Sequence, residues 1–386
     1  MDAESGRKIE PGRLLSLLLI GLACLATLPE TTSAWHRLPP GKLAWRSAEL
    51  AGIRGVTVGP IESSQWPGRG YGSPYSEALL DELVRLGVNW VSITPFGRIW
   101  DLKSTEILMD FEAPFAKNQD AVRRMVQQAH ARGIKVLIIP HLWVETGGWR
   151  GEIDPGTKAG WKAYQRSYRA FVLAWAKTAQ EAGADAFSIG VECGSWTGRF
   201  FPVWQSLIAD VRATFEGLLT YSANWDEADS VQFWDELDFI GINAFYPLAQ
   251  RGPASYAQYL AGAERARDAA GRLAETLQMP VVFVEVGYTT RVDAAIEPWL
   301  WPDDMVSVRY DENEQARALS AVFAAVLPEP WFAGFFVWRY YASLDDVSQE
   351  APWGFSPHGK LAETLLQQVF DSRWGVDPAS APLARY

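Results

Sequence analysis

The sequence predicts a single (β/α)8 TIM barrel, an α/β fold, from three observations. Short apolar runs alternate along the chain with longer amphipathic runs, which is typical of parallel strands joined by helices. Eight such strand–helix units can be counted, and eight units close a barrel. The chain has 386 residues, of which 48% are hydrophobic, so it can bury the large core of one barrel with insertions.

The predicted strands are apolar runs too short to be helices. They are Ile53–Val58, Trp90–Thr94, Val136–Pro140, Ala186–Val191, Leu218–Ser222, Phe239–Asn243, Val281–Val284 and Gly334–Trp338. The predicted helices are the amphipathic runs Tyr75–Leu86, Asn118–Arg132, Lys158–Ala182, Trp204–Phe215, Ala254–Leu277, Glu312–Leu327 and Lys360–Phe370, with a shorter run near Asp229–Glu236. Gly87, Gly133 and Gly183 each follow a predicted helix, as glycines at helix C-caps do.

The N-terminus has the pattern of a targeting segment. Three basic residues within the first 13 positions precede an apolar run from Leu14 to Leu28, and Thr32 and Ala34 then have the spacing of a cleavage site. The apolar run is short for a membrane span, so we expect a signal peptide over residues 1–34 and a secreted or periplasmic protein. An uncleaved membrane anchor is the alternative.

The rest of the chain is predicted to form one domain with short extensions. Residues 35–50 are expected to be a linker, 51–375 the barrel and 376–386 a C-terminal tail. Removal of residues 1–34 leaves Cys193 as the one cysteine, so we expect no internal disulfide in the mature chain.

Charge and motif content argue against several classes of function. The formal net charge is −11 and no block of basic residues occurs, so nucleic acids and anionic membrane surfaces are not expected partners. The four histidines form no HExxH motif, and neither a phosphate-binding loop nor a Gly-x-Ser-x-Gly elbow is present. We therefore expect neither a metal nor a cofactor.

Two glutamates carry the strongest functional signal. Glu192 follows the fourth predicted strand and Glu285 follows the seventh. Barrels of this kind carry their chemistry at the carboxyl ends of their strands. Glycoside hydrolysis needs one carboxyl group as an acid and another as a nucleophile or base, so the pair predicts a glycosidase. The alternative is that both are ordinary strand-end glutamates paired with arginine.

Five further segments, through their order along the chain, make the predicted function more specific. They are Pro-His-Leu at 140–142, Thr-Tyr-Ser-Ala-Asn-Trp at 220–225, Gly-Ile-Asn-Ala-Phe-Tyr-Pro-Leu at 241–248, Phe-Val-Trp-Arg-Tyr at 336–340 and Gly-Phe-Ser-Pro-His-Gly-Lys at 354–360. In this order they resemble strands three, five, six and eight of glycoside hydrolase family 113, the barrel β-mannanases, and the stretch before its last helix. The resemblance spans roughly residues 52–370.

The resemblance implies a retaining mechanism, in which the two carboxyl groups lie about 5–5.5 Å apart. It assigns Glu192 as the acid/base and Glu285 as the nucleophile. Tyr246 has the position of a tyrosine that donates to the nucleophile in related barrels, although it could be a core aromatic. Val191 stands where many members of this clan have the asparagine that binds the sugar 2-hydroxyl, which leaves the identity of the reacting sugar open.

The remaining candidates for substrate binding follow the ends of other strands. His141, Asn224 and Asn243 follow strands three, five and six, where an imidazole and two amides suit sugar hydroxyls. A structural histidine and helix caps are the alternatives. Trp338 ends strand eight, where this clan has a tryptophan under the reacting sugar. The other expected stacking platforms of an open cleft follow strands three, four and five and are Trp143, Trp196 and Trp225.

We therefore expect a retaining endo-β-1,4-mannanase that binds mannan or glucomannan. One alternative keeps the chemistry and changes the sugar, giving a β-mannosidase or a glycosidase of another β-linked polysaccharide. In that case the segments 62–74 and 291–310 are the ones that would block an end of the groove. The other alternative is a carbohydrate-binding barrel without catalysis. The oligomeric state is left open.

Overall fold

The structure is a computed structural model that describes residues 52–63, 65–110, 113–301, 307–345 and 350–371. The predicted signal peptide, linker and C-terminal tail lie outside these residues.

Eight parallel strands close into a barrel, which confirms the predicted fold. In chain order the strands are β1 (Ile53–Gly59), β2 (Trp90–Ile93), β3 (Phe96–Ile99), β4 (Lys135–Ile138), β5 (His141–Val144), β6 (Ala186–Val191), β7 (Leu218–Asn224), β8 (Ile240–Asn243), β9 (Val281–Val286) and β10 (Phe332–Tyr341). The barrel order is β1, β2, β4, β6, β7, β8, β9 and β10, and β10 pairs back with β1. Thus β6 and β9 are the fourth and seventh barrel strands.

The helices alternate with these strands as predicted, with one exception. They are α1 (Pro74–Leu86), α2 (Phe115–His130), α3 (Lys158–Ala182), α4 (Gly194–Thr197), α5 (Phe201–Thr214), α6 (Tyr256–Leu277), α7 (Glu312–Val326) and α8 (Leu361–Asp371). The predicted run near 229–236 forms two 3-10 turns instead, Ala228–Ser230 and Trp234–Glu236. The indole of Trp234 donates to the carbonyl of Ala228, which holds this connection in a tight turn.

Helix ends follow local sequence signals. Ser73 accepts a hydrogen bond from the amide of Ser76 at the start of α1, and Ser255 and Gln258 form a capping box at the start of α6. Gly87 and Gly183 end α1 and α3 in the left-handed conformation, as predicted for C-cap glycines. These caps set the points at which the chain turns back toward the barrel.

A small two-stranded ribbon, formed by β3 and β5, extends the barrel and was not predicted. Pro95 and Pro140 lack amide hydrogens and follow β2 and β4, so the barrel ladder is interrupted there. Pairing resumes in parallel, with Phe96 opposite His141 and the amide of His141 donating to the carbonyl of Pro95. The ribbon therefore lies at the carboxyl end of the second and third barrel strands.

Among the described residues, no helix has both the length and the apolar character needed to cross a lipid bilayer.

The barrel tolerates no added volume at Gly241 in β8. A Cβ atom there would lie 2.5 Å from the carbonyl oxygen of Tyr221 and 2.8 Å from Oγ1 of Thr220. We expect Gly241→Ala to lower the free energy of unfolding by about 1–3 kcal/mol, measured by urea denaturation, because the two strands must move apart. Gly198→Ala is the matched control, since no atom lies within 4 Å of the added group. Equal stability of the two variants would contradict this packing.

Candidate active site

Glu192 occupies a turn directly after β6. Its φ angle is +49°, in the left-handed region that residues other than glycine rarely adopt and that is enriched at functional sites. The amide of Glu192 donates to the carbonyl of Ser222 at 2.9 Å, and the next amide, that of Cys193, donates to the hydroxyl of Tyr221 at 2.6 Å. These two bonds to β7 hold the turn, and the carboxyl group faces the cavity at the barrel end.

Three donors hold the carboxyl group of Glu192. Oε2 accepts from Nε1 of Trp149 at 3.0 Å and from the guanidinium of Arg150 at 2.8 Å. Oε1 accepts from the side-chain amide of Asn243 at 3.0 Å. The Nε atom of Arg150 also donates to the carbonyl of Leu142 at 3.1 Å, so the guanidinium is itself fixed. A carboxylate with this set of charged and neutral donors is held in one orientation.

Glu285 lies within β9, one residue before its end, and is bonded to His141. The Oε1 atom of Glu285 lies 3.0 Å from Nε2 of His141, and Nδ1 of the same ring lies 2.9 Å from the carbonyl oxygen of Ile139. A carbonyl only accepts, so Nδ1 carries a hydrogen. The contact between Nε2 and Oε1 therefore contains a single proton, and the pair has no net charge whichever atom holds it.

Burial controls the titration of this pair. It lowers the pKa of His141 to about 3, with the positive charge of Arg150 acting in the same direction. Burial and the nearby Glu192 raise the pKa of Glu285 well above its ordinary value, while Arg150 and Arg339 oppose that rise. Both pKa shifts favour an uncharged imidazole and an uncharged carboxyl group in this buried environment.

The two glutamates line one cavity of about 400 Å³ at the carboxyl end of the barrel. Its walls are mainly aromatic, with the indoles of Trp225 and Trp299 stacked 6.0 Å apart at 19°. The lining residues are His141, Trp149, Arg150, Glu192, Asn224, Trp225, Asp226, Phe245, Glu285, Trp299, Trp301, Trp338 and Phe355. An apolar cavity with a few convergent polar groups is the common form of a small-molecule site.

Six residues predicted from the sequence line this cavity: Glu192, Glu285, His141, Asn224, Trp225 and Trp338. The other four do not, and Asn243 differs from its predicted role because it is completely buried behind Glu192. Its side-chain amide donates to Glu192 rather than facing the cavity. Asn243 therefore positions the carboxyl group.

Trp196 was wrongly predicted to be a platform in the cleft. The short helix α4 turns its indole into the core, where it stacks on Trp204 at 4.2 Å and packs edge-on against Tyr168. Trp143 also lies outside the cavity, because it is on the ribbon strand β5, where it is 48% exposed.

Tyr246 does not contact Glu285, the predicted nucleophile, as the sequence suggested. Its ring is buried between Trp225 and Phe283. Within the described residues, no hydrogen bond joins its hydroxyl to Glu285, and His141 occupies that place instead. The alternative of a core aromatic therefore fits Tyr246.

Four of the seven lining residues that the sequence analysis missed come from two segments. Trp149 and Arg150 follow β5, and Trp299 and Trp301 lie in the connection between β9 and α7. The second loop belongs to the 291–310 segment that was expected to shape one end of the groove. Their position after the carboxyl ends of barrel strands was the available signal, because no local motif marks any of them.

A buried carboxyl group supports the turn that carries Glu192. Glu227 accepts from the hydroxyl of Tyr221 at 2.7 Å and from the hydroxyl of Thr197 at 2.9 Å. The same Tyr221 hydroxyl accepts from the amide of Cys193. Glu227 is thus connected through one side chain to the backbone beside Glu192. Burial raises the pKa of Glu227 to about 7.

Comparison with known proteins identifies the family. The model of Glycoside Hydrolase Family 113 matches residues 66–360. The chain belongs to glycoside hydrolase family 113. It is accordingly a glycoside hydrolase, and the predicted family is confirmed. No curated protein sequence matches the chain.

Solved structures agree with this membership. A family 113 β-mannanase from Alicyclobacillus acidocaldarius, in complex with ManMIm, is 27% identical, with a TM-score of 0.72 over 84% of this chain and 99% of that one. A family 113 β-1,4-mannanase at 24% identity gives a TM-score of 0.71 over 83% and 99%. A family 5 mannosidase from Rhizomucor miehei, at 12% identity and a TM-score of 0.59 over 87% and 96%, shares the fold.

Within the described part of the chain, no group of three or more His, Cys, Asp or Glu side chains is arranged to hold a metal ion.

Glu227 should make the stability of the protein depend on pH. Because its pKa is raised from 4.5 to about 7 on folding, the folded state binds more protons between these values, and stability falls as pH rises through that window. Relative to Glu227→Gln, wild type should lose on the order of 3 kcal/mol of unfolding free energy between pH 4 and pH 8. Urea denaturation at several pH values measures this difference.

Glu275→Gln, which removes a carboxyl group from the exposed surface of α6, is the control. It should follow wild type across the same pH range. A difference between wild type and Glu227→Gln that does not change with pH would mean that Glu227 is not protonated on folding.

Proposed function

We propose that this glycoside hydrolase is a retaining endo-β-1,4-mannanase that acts on mannan or glucomannan. The observation that carries the proposal is the pair of buried carboxyl groups at the carboxyl ends of the fourth and seventh barrel strands, which line one aromatic cavity. The 27% identity to a β-mannanase of the same family supports the choice of polymer.

In the first step, Glu285 attacks the anomeric carbon while Glu192 donates a proton to the departing glycosidic oxygen. Glu285 must be free of its proton to attack, and Nε2 of His141 lies within hydrogen-bond reach to take it. This transfer occurs inside the pair and leaves its net charge unchanged. The products are a glycosyl ester on Glu285 and a released chain end.

In the second step, Glu192 removes a proton from water, and the water attacks the anomeric carbon and frees Glu285. Arg150 and Trp149 both donate to Oε2 and Asn243 donates to Oε1, so the carboxyl group keeps one orientation for both steps.

The distribution of tryptophan supports a polymeric sugar as substrate. Five described tryptophans are 39% exposed or more, and every one lies in a segment that follows the carboxyl end of a barrel strand. They are Trp66, Trp100, Trp143, Trp149 and Trp299. Large exposed apolar rings on one face of a protein are typical of a binding surface. An indole presents a flat apolar face that suits the apolar face of a pyranose ring.

The identity of the sugar is the part of the proposal with a specific rival. Val191 replaces the asparagine that binds the 2-hydroxyl in much of the clan, and its side chain is buried. This absence favours, as a second candidate, a glycosidase of another β-linked polysaccharide. A panel of polymers separates the two.

Loss of the nucleophile should abolish turnover on the true substrate. We expect wild type to release reducing ends from mannan or glucomannan, and Glu285→Gln to be slower by on the order of 10³-fold or more. Cellulose, xylan and chitosan complete the panel, and proton NMR of the first product tests for retention of the β-configuration. Activity on another polymer alone would reject the mannanase assignment. Equal activity of wild type and Glu285→Gln would reject the nucleophile.

The acid role of Glu192 has a separate signature. A dinitrophenyl leaving group departs without protonation, so Glu192→Gln should lose much more activity on mannan than on a dinitrophenyl β-mannobioside. The ratio of the two kcat/KM values, compared with wild type, measures the acid contribution. Glu285→Gln is the control, because it should lose both activities. A uniform loss in Glu192→Gln would contradict the assignment.

We also propose that the protein is exported and acts on glycans outside the cytoplasm. The N-terminal pattern over residues 1–34 supports this, and N-terminal sequencing of secreted protein tests it. A first residue near Trp35 agrees with cleavage of a signal peptide. An intact chain in the membrane fraction would favour an anchor instead.

A further inference from the structure

The ribbon of β3 and β5 has one packed face and one open face. Side chains alternate between the two faces of a strand. Gly97 and Ile99 on β3, with Leu142 and Val144 on β5, are buried. A Cβ atom on Gly97 would lie 2.7 Å from the ring of Phe171 in α3, so this face packs against that helix. The opposite face is directed away from α3.

The open face begins at the active-site cavity. Phe96 is paired with His141, and Arg98 is paired with Trp143, so these four side chains belong to this face. Ring centroids are separated by 6.1 Å between Trp338 and His141, by 5.3 Å between His141 and Phe96, and by 6.4 Å between Phe96 and Trp143. A continuous row of rings thus leads from the cavity wall to the ribbon surface.

The outer end of this face combines exposed aromatic rings with polar groups. Trp143 is 48% exposed, and Trp100, two positions after Arg98, is 67% exposed. The guanidinium of Arg98 lies 3.9 Å from the carboxylate of Glu145, and both side chains remain partly exposed. The surface therefore has flat apolar rings beside hydrogen-bond donors and acceptors, a combination that matches the faces and hydroxyls of a glycan.

We propose that the open face of the β3–β5 ribbon is a second carbohydrate-binding site, which holds the part of a β-linked polysaccharide that extends beyond the reacting sugar. Trp143 is its platform, Trp100 flanks it, and Arg98 and Glu145 bind hydroxyls. Trp143 does not line the cavity, so a chain must be long enough to leave the cavity before it reaches this site. The inference rests on the proposed function, because it takes the polysaccharide that reacts in the cavity to continue along the ribbon. Binding at this face does not itself require turnover.

The test separates binding from catalysis by using Glu285→Gln as the parent protein. Affinity electrophoresis in gels that contain mannan, glucomannan, hydroxyethylcellulose, xylan or chitosan measures retardation by each polymer. Calorimetry with β-1,4-manno-oligosaccharides of increasing length measures the gain in affinity per added sugar. Trp143→Ala and Trp100→Ala are made in this parent. Val84→Ala is the matched control, because Val84 is a 45% exposed apolar side chain that lies on α1.

We expect Trp143→Ala to weaken polymer binding about tenfold and to remove the affinity gain of the longer oligosaccharides. Val84→Ala should bind like the parent, and Trp143→Phe should recover part of the loss, which a merely misfolded variant would not. Retardation that is unchanged in both ribbon variants overturns this site while leaving the proposed function intact. Retardation that depends on Trp143, without turnover by wild type on any polymer, supports the site and overturns the proposed function. No retardation of the parent by any polymer overturns both.

Discussion

The arrangement of this site depends on the free-energy cost of burying carboxyl groups away from water at the carboxyl end of the barrel. A buried carboxylate is tolerated only where hydrogen bonds or opposite charges replace its lost water. Three glutamates meet this condition in three different ways. Glu192 receives three side-chain donors, Glu285 shares a proton with His141, and Glu227 accepts from two hydroxyls and from the backbone amide of Asn224. Each solution fixes neighbouring side chains, so the geometry of the site follows from the need to satisfy these groups.

Two guanidinium groups complete the charge balance: Arg150 is partly buried and Arg339 is buried. Arg150 bonds directly to Glu192 and also influences His141 and Glu285. Arg339 instead lies among aromatic rings, 5.2 Å from the centroids of Trp301 and Trp338. Its charge still opposes the rise in the pKa of Glu285. A guanidinium is weakly hydrated and stacks on rings, which makes it the cation best suited to this position.

The sequence analysis predicted the site residues whose positions follow from strand order. It missed the residues whose positions depend on the conformation of a loop. All eight barrel strands were predicted because each is a continuous apolar run, and Glu192 and Glu285 followed because strand ends meet at one edge. The inward direction of Trp196 depends on one turn of helix, which no periodicity reveals. Arg150 contacts Glu192, 42 positions later in the chain, from a short 3-10 turn, Arg150–Glu152, that follows β5. Such contacts arise from tertiary packing, so a single sequence carries little signal for them.

The division between barrel and loops also determines where the choice of sugar is made. Aromatic walls can contribute affinity for a sugar, but an indole face accepts the apolar face of many pyranoses and discriminates poorly between them. Discrimination requires polar groups that a wrong sugar would leave unpaired. Of the polar groups near Glu192, Asn243 and Arg150 are already directed to that carboxyl group. Asn224 and Asp226, which line the cavity and bond to each other at 2.7 Å, are therefore the polar pair best placed to distinguish one sugar hydroxyl from another.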